Sequence, residues 1–148
     1  MTIKLNTNFM DKYILHTDGG SRGNPGPAAA GWVISQLTIK SDELIISKNC
    51  KYLGIQTNNY AEYSAVIEGM KECLGNGFFN LEVKMDSELA IKQIKGIYKV
   101  KNPQIASFMK EIVELKKKFE TISFTHVYRE YNKEADRMVN LCLDERKR

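Results

Sequence analysis

The chain lacks the features that mark several whole classes of protein. Its three cysteines, at positions 50, 73 and 142, form no C-x-x-C pair, so neither a disulfide framework nor a zinc-site spacing is present. That usage suits a reducing compartment, and the expected location is the cytoplasm. No run of about eighteen apolar residues occurs, which gives no membrane-spanning helix and no membrane partner. The opening residues "MTIKLNTNFMDK" place Asn, Thr and Asp where a secretion signal needs an unbroken apolar core. A strong charge of one sign is missing as well: 22 Lys+Arg against 18 Asp+Glu leave a net +4, only a weak pointer to a polyanionic partner. There is no repeat, linker or low-complexity segment to divide the chain. What remains is 148 residues at 43% hydrophobic content, the size and composition of one globular domain spanning 1–148. Residues 1–11 and 144–148 are expected to be loose termini.

Along the chain, "YILHT" (13–17), "AGWVISQLTI" (30–39) and "ELIISKNC" (43–50) are short β-branched or aromatic runs separated by turn signals, and read as three consecutive antiparallel strands. The period then changes. Ala61, Ala65, Val66, Met70 and Leu74 recur at helical spacing, Thr57 or Asn58 is placed to cap the start, and Gly75 or Gly77 to stop it. A strand at "LEVKM" leads into the helix "DSELAIKQIKG", Pro103 opens a helix through Lys118, and the strand "TISFTHVY" precedes a last helix from about Asn132. The order βββαβααβα predicts an α/β fold: a five-stranded mixed sheet, three antiparallel strands followed by parallel ones, flanked by helices.

Four acids fall at element ends or on helical faces: Asp18 at the end of the first strand, Glu62 in the first turns of the first helix, Asp86 at the end of the fourth strand and Asp136 near the start of the last helix. Adjacent strand ends would bring Asp18 and Asp86 together. Such a cluster cannot stay ionised near neutral pH without a cation, because like charges a few ångströms apart raise one another's pKa. Oxygen-only ligands favour Mg²⁺, with Mn²⁺ as a substitute, and two such ions can clamp both the attacking and leaving oxygens of a phosphodiester. The chemistry indicated is phosphoryl-transfer hydrolysis.

Four stretches, "TDGGSRGNPGPAAAGWVI", "TNNYAEYSAVIEGM", "MDSELAIKQIKGIYKVKNP" and "VYREYNKEADRMVN", resemble the type 1 ribonuclease H family over nearly the whole chain after the first dozen residues. Any one motif alone is weak, since D-G and D-S dipeptides are common; four in order are specific. The resemblance implies an endonuclease that cleaves the RNA strand of RNA/DNA hybrids, leaving 5′-phosphate and 3′-hydroxyl ends. Its catalytic, metal-holding set would be Asp18, Glu62, Asp86 and Asp136, with two Mg²⁺ ions. It further implies that Asn24, Thr57, Asn58 and Asn59 contact the minor groove and a DNA-strand phosphate, groups that both donate and accept and so read a 2′-OH without demanding a base sequence. Gly19 and Gly20 would let backbone approach substrate, and Arg22 would touch phosphate. The expected partner is an RNA/DNA hybrid duplex, bound by a monomer.

The chain departs from the family pattern in ways that bear on specificity. It has no room for the additional basic helix and loop of some bacterial members, although Lys92, Lys95, Lys99, Lys101, Lys110, Lys116, Lys117 and Lys118 offer a weaker substitute or a solvated helix face. His126 lies ten residues before Asp136, but "TISFTHVY" alternates and too few residues follow for the mobile loop that carries a catalytic His in many members. It reads as a packed strand residue. Arg129, seven residues before Asp136, matches the shorter subfamily, in which an Arg assists; as a permanent cation its role would be electrostatic. Glu88 stands where many relatives have Gln, able only to accept when ionised. Two alternatives therefore stay open: a nuclease of the same fold that also takes double-stranded RNA, and a non-catalytic nucleic-acid-binding module.

Overall fold

A computed structural model describes residues 11–146. The strands β1 (Tyr13–Ser21), β2 (Gly26–Leu37) and β3 (Glu43–Gln56) form an antiparallel meander, followed by α1 (Asn58–Gly75), β4 (Asn80–Met85), α2 (Glu88–Ile94), α3 (Pro103–Lys116), β5 (Thr121–His126), a 3₁₀ turn at Arg129–Tyr131 and α4 (Lys133–Arg146). The sheet order is β3-β2-β1-β4-β5, with β4 parallel to both β1 and β5. This is the five-stranded mixed sheet flanked by helices that the pattern predicts. No helix among the described residues is long and apolar enough to cross a membrane.

The meander strands run longer than their apolar runs. β1 continues through Asp18, Gly19 and Gly20, because each of them pairs with the β2 run Ala29–Gly31; glycine and alanine carry little strand propensity, and the ladder overrides it. Of the termini expected to be loose, 1–10 and 147–148 lie outside the described residues, whereas 144–146 complete α4.

Helix starts follow their caps. The Thr57 hydroxyl accepts from the Tyr60 N–H at 3.1 Å, Ser87 does the same for Ala90 at 3.1 Å, and Asn102 accepts from Gln104 and Ile105 just ahead of Pro103, each satisfying donors a helix start leaves unpaired. Helix α1 ends at Asn76, with Gly77 at φ +77°.

The two faces of the sheet are unequal. One carries the main core, where Tyr13, Leu15, Trp32 and Ile34 pack with Tyr63, Val66 and Met70 of α1 and Ile112 of α3. Each fully buried aliphatic side chain there contributes roughly 1.5–3 kcal/mol. The other face is covered thinly by α4, with Val139 and Leu143 against Ala29. Gly31 makes that close approach possible: a Cβ built on it would lie 2.7 Å from the Ala135 carbonyl oxygen and 2.9 Å from the Val139 nitrogen. Helix backbone rests directly on strand backbone. Gly31→Ala should therefore lift α4 and destabilise the fold by about 1–3 kcal/mol. Denaturant unfolding measures this, and an unchanged midpoint would contradict it.

Candidate functional site

The parallel ladder between β1 and β4 ends at Thr17 opposite Met85, so Asp18 and Asp86 are the next residues on neighbouring strands. A third acid comes from above the sheet. Gly19 has no room for a Cβ, which would fall 2.2 Å from the Ala61 carbonyl carbon and 2.4 Å from the Glu62 nitrogen, and that seat of β1 on α1 sets Glu62 beside Asp18. Carboxylate oxygens of Asp18, Glu62 and Asp86 lie within 4.8 Å of one another. Asp136 arrives from the first turn of α4 on the opposite face and hydrogen-bonds the Asp18 side chain. All four acids, with Arg129 at the rim, line one cavity of about 340 Å³.

Burial and crowding hold protons on this cluster. Burial above all, then the charges of Asp86 and Asp136, the Asp136 hydrogen bond and Glu62 push Asp18 from 3.8 up to about 8. Glu62 is pushed from 4.5 up to about 7, again chiefly by burial; the Ser87 hydrogen bond and the Arg129 charge oppose the rise while Asp86 adds to it. Beneath them the Thr17 hydroxyl is buried without a hydrogen-bond partner, in a narrow recess shared with Asp18, Glu62, Asp86 and Ser87. An oxygen-only donor set, charged only at a cost and left with an orphaned hydroxyl, is the set a hard divalent cation satisfies. The residues present fit such an ion.

The remaining sequence-derived candidates fall in three places. Gly19, Gly20, Arg22, Asn58 and Asn59 line the carboxylate cavity. Asn24, Thr57 and Asn59 line a second, polar cavity of about 390 Å³ beside it, completed by Gln93, Lys101, Asn102 and Gln104. Glu88 lines neither and is ion-paired with Lys92 at 3.1 Å. The turn and the helix start are tied together: Asn24 Oδ1 accepts from the Asn58 N–H at 3.1 Å, and Asn58 Oδ1 accepts from the Ser21 N–H at 2.8 Å. Arg22 binds Asp144 at 2.8 Å and Asn140 at 3.3 Å. His126 sits edge-on to Tyr128 at 5.7 Å and does not line the carboxylate cavity.

Three participants escaped the sequence reading. Ser87 caps α2 and also hydrogen-bonds Glu62; the D-S dipeptide was the available signal. Asn140, one turn after Asp136, donates to the Asp136 carbonyl at 3.1 Å. Asn132, which opens the "NKEAD" run that ends on Asp136, is buried and donates to Asp86 Oδ2 at 3.1 Å.

The family described as Reverse transcriptase-like matches residues 16–142. Ribonuclease HI of Halobacterium salinarum is 38% identical over 128 residues, covering 86% of this chain and 62% of the relative; the crystal structure of RNase H1 from that archaeon superposes with a TM-score of 0.85, covering 90% and 98% of the two chains at 36% identity. The bifunctional protein Rv2228c of Mycobacterium tuberculosis is 35% identical over 90% of this chain and 36% of its own length. The chain thus spans less than two thirds of these curated relatives. LC11-RNase H1, isolated from compost by a metagenomic approach, was solved in complex with an RNA/DNA hybrid and matches at a TM-score of 0.84 and 37% identity, covering 92% of this chain and 99% of that one.

The raised pKa values dictate a pH dependence. The folded chain keeps protons on Asp18 and Glu62 that the unfolded chain releases near pH 4, so without metal their contribution to stability is present at about pH 4 and lost as pH rises to about 8. Asp18→Asn should flatten that fall. Thermal unfolding in a chelator from about pH 5 to 8 reads it; equal slopes for the two proteins would contradict the assignment.

Proposed function

The chain belongs to the type 1 ribonuclease H family, and we propose that it is an endonuclease hydrolysing the RNA strand of RNA/DNA hybrids to leave 5′-phosphate and 3′-hydroxyl ends. The observation that carries this reading is the convergence of four acids from four separate elements into one open cavity. Asp18, Glu62, Asp86 and Asp136 would hold two Mg²⁺ ions, with Mn²⁺ as a substitute. When bound, such ions supply an activated water and stabilise charge on the leaving 3′-oxygen.

The chain's own groups define the rest. Arg129 lines the cavity with the acids, where its guanidinium would stabilise negative charge at the scissile phosphate instead of moving protons. Thr57, Asn58 and Asn59 at the start of α1, with Asn24 of the β1–β2 turn hydrogen-bonded to it, are amide and hydroxyl groups suited to address a minor groove and a DNA-strand phosphate together. Gly19 and Gly20 line the cavity without side chains, leaving room for a substrate to approach the strand backbone. Arg22 reaches a phosphate by exchanging its ion pair with Asp144, whose side chain is 64% exposed, a change costing at most about 1 kcal/mol. Glu88, held by Lys92, would meet substrate as an acceptor only.

The solved complex of LC11-RNase H1 with a hybrid supports this substrate over double-stranded RNA. The reading takes the acting species to be a monomer, and the free thiols of Cys50, Cys73 and Cys142 suit the cytoplasm.

The test is cleavage of matched RNA/DNA, RNA/RNA and DNA/DNA duplexes with and without Mg²⁺ or Mn²⁺. Cleavage of the hybrid alone, dependent on metal, is expected; cleavage of RNA/RNA would broaden the specificity, and binding without cleavage would make the chain a binding module. Asp86→Asn should lower hybrid cleavage below about one part in a thousand while hybrid binding persists; near-normal turnover in Mg²⁺ would sink the assignment. For Arg129→Ala, turnover about ten- to hundredfold slower at unchanged hybrid affinity is expected, and an unchanged rate would remove Arg129 from the site.

A further inference from the structure

Asn132 is 1% exposed, and its side-chain amide is fully engaged. Nδ2 donates to the Thr17 carbonyl at 2.9 Å and to Asp86 Oδ2 at 3.1 Å. Both N–H groups being used, Oδ1 is the atom that accepts from His16 Nδ1, at 3.0 Å. The other ring nitrogen of His16 meets Glu43 Oε1 at 3.1 Å, and Glu43 Oε2 accepts from Lys84 Nζ at 3.1 Å. A continuous chain of side chains therefore runs across the α4 face of the sheet, from Lys84 through Glu43, His16 and Asn132, and ends on a carboxylate of the proposed metal site.

Asn132 also acts through its backbone. Its carbonyl accepts from the Asp136 N–H at 3.2 Å, so it opens the first turn of α4. One residue thus touches Asp86 through its amide and Asp136 through its carbonyl. The need for such a fixture is electrostatic. A carboxylate set among other carboxylates is driven to rotate away from them, and a buried amide donor on one oxygen removes that freedom at little entropic cost. Partners that orient metal-holding side chains in this way typically carry ten- to hundredfold in affinity.

We propose that Asn132 is a positioning residue, itself held in place by His16 and the Glu43–Lys84 pair, which sets Asp86 and the start of α4 for divalent-cation binding. This rests on the nuclease reading above for its consequence in turnover, but not for its consequence in cation affinity.

Asn132→Ala is the obvious variant but leaves the Thr17 carbonyl without its buried donor, so His16 gives the cleaner probe. His16→Leu removes the hydrogen bond to Asn132, whereas His16→Asn returns an amide N–H to the position of Nδ1. In calorimetric titration of the substrate-free protein with MgCl₂, His16→Leu should weaken binding about tenfold and His16→Asn should recover most of the loss. On saturating hybrid, His16→Leu should lower kcat with KM unchanged. A purely structural histidine would lower the melting temperature and leave Mg²⁺ affinity where it was; that result, or failure of His16→Asn to recover affinity, overturns the proposal. If the parent protein binds Mg²⁺ yet cleaves no duplex, the nuclease reading fails while the titrations still decide the role of Asn132.

Discussion

Three carboxylates with oxygens within 4.8 Å of one another are the constraint on which the rest of this chain depends. Ionised together near a protein surface, two like charges about 4 Å apart would repel by about 4 kcal/mol, a large fraction of the stability of a small domain. The fold therefore has to hold the acids where they would not settle by themselves. It does so by mounting each on a different rigid element. Asp18 stands on β1, the central strand of five, Glu62 on α1 from one face, Asp136 on α4 from the other, and Asp86 just past β4. No single local relaxation separates them.

That arrangement explains why glycine and alanine occupy the middle of the sheet, where bulkier residues would bury more area. Gly19 admits α1 to one side of β1, and Gly31 admits α4 to the other side of β2. Both are places where two backbones meet. A larger core would be available to a sequence with valine at these positions, but its helices would stand off and the acids on them would be drawn out of reach. Stability has been exchanged for proximity, and the thin apolar cover of α4 against the full core beneath α1 is the visible result.

How much of this was legible in the sequence follows from which signals are local. The order of elements, the Thr57 cap and the four acids were readable because each depends on a period, a cap or a short motif. Strand ends were not: β1 through Ser21, β2 from Gly26 and β3 to Gln56 run over Gly, Ala and polar residues whose strand state is imposed by the neighbouring strand. Nor was the division of the candidate substrate contacts between two cavities, since "TNN" reads as one unit while Thr57 faces one cavity, Asn58 the other and Asn59 both. Asn132 was hidden for a different reason. Its partners His16, Thr17 and Asp86 are distant in sequence, and an Asn just ahead of a helix reads as a local cap.

The surroundings of the acids complete the electrostatic argument. An anionic trench facing a polyanionic duplex would repel it, and the chain's net charge of +4 is too small to overcome this from a distance, since screening at physiological salt leaves little interaction beyond about 8 Å. Cations must therefore act at contact range. Arg22 and Arg129 line the trench itself and Lys101 the adjoining polar cavity, so a duplex lying across both would meet positive charge close to the acids. Burial and the crowding of the acids themselves raise Asp18 to about 8 and Glu62 to about 7, so a divalent ion entering the site would displace protons. On the proposed reading, metal in the site would add positive charge where those protons sit, so the ions that supply the chemistry would tighten the hold on the scissile phosphate, while Arg22 and the Asn24, Asn58 and Asn59 amides hold the rest of the duplex without them.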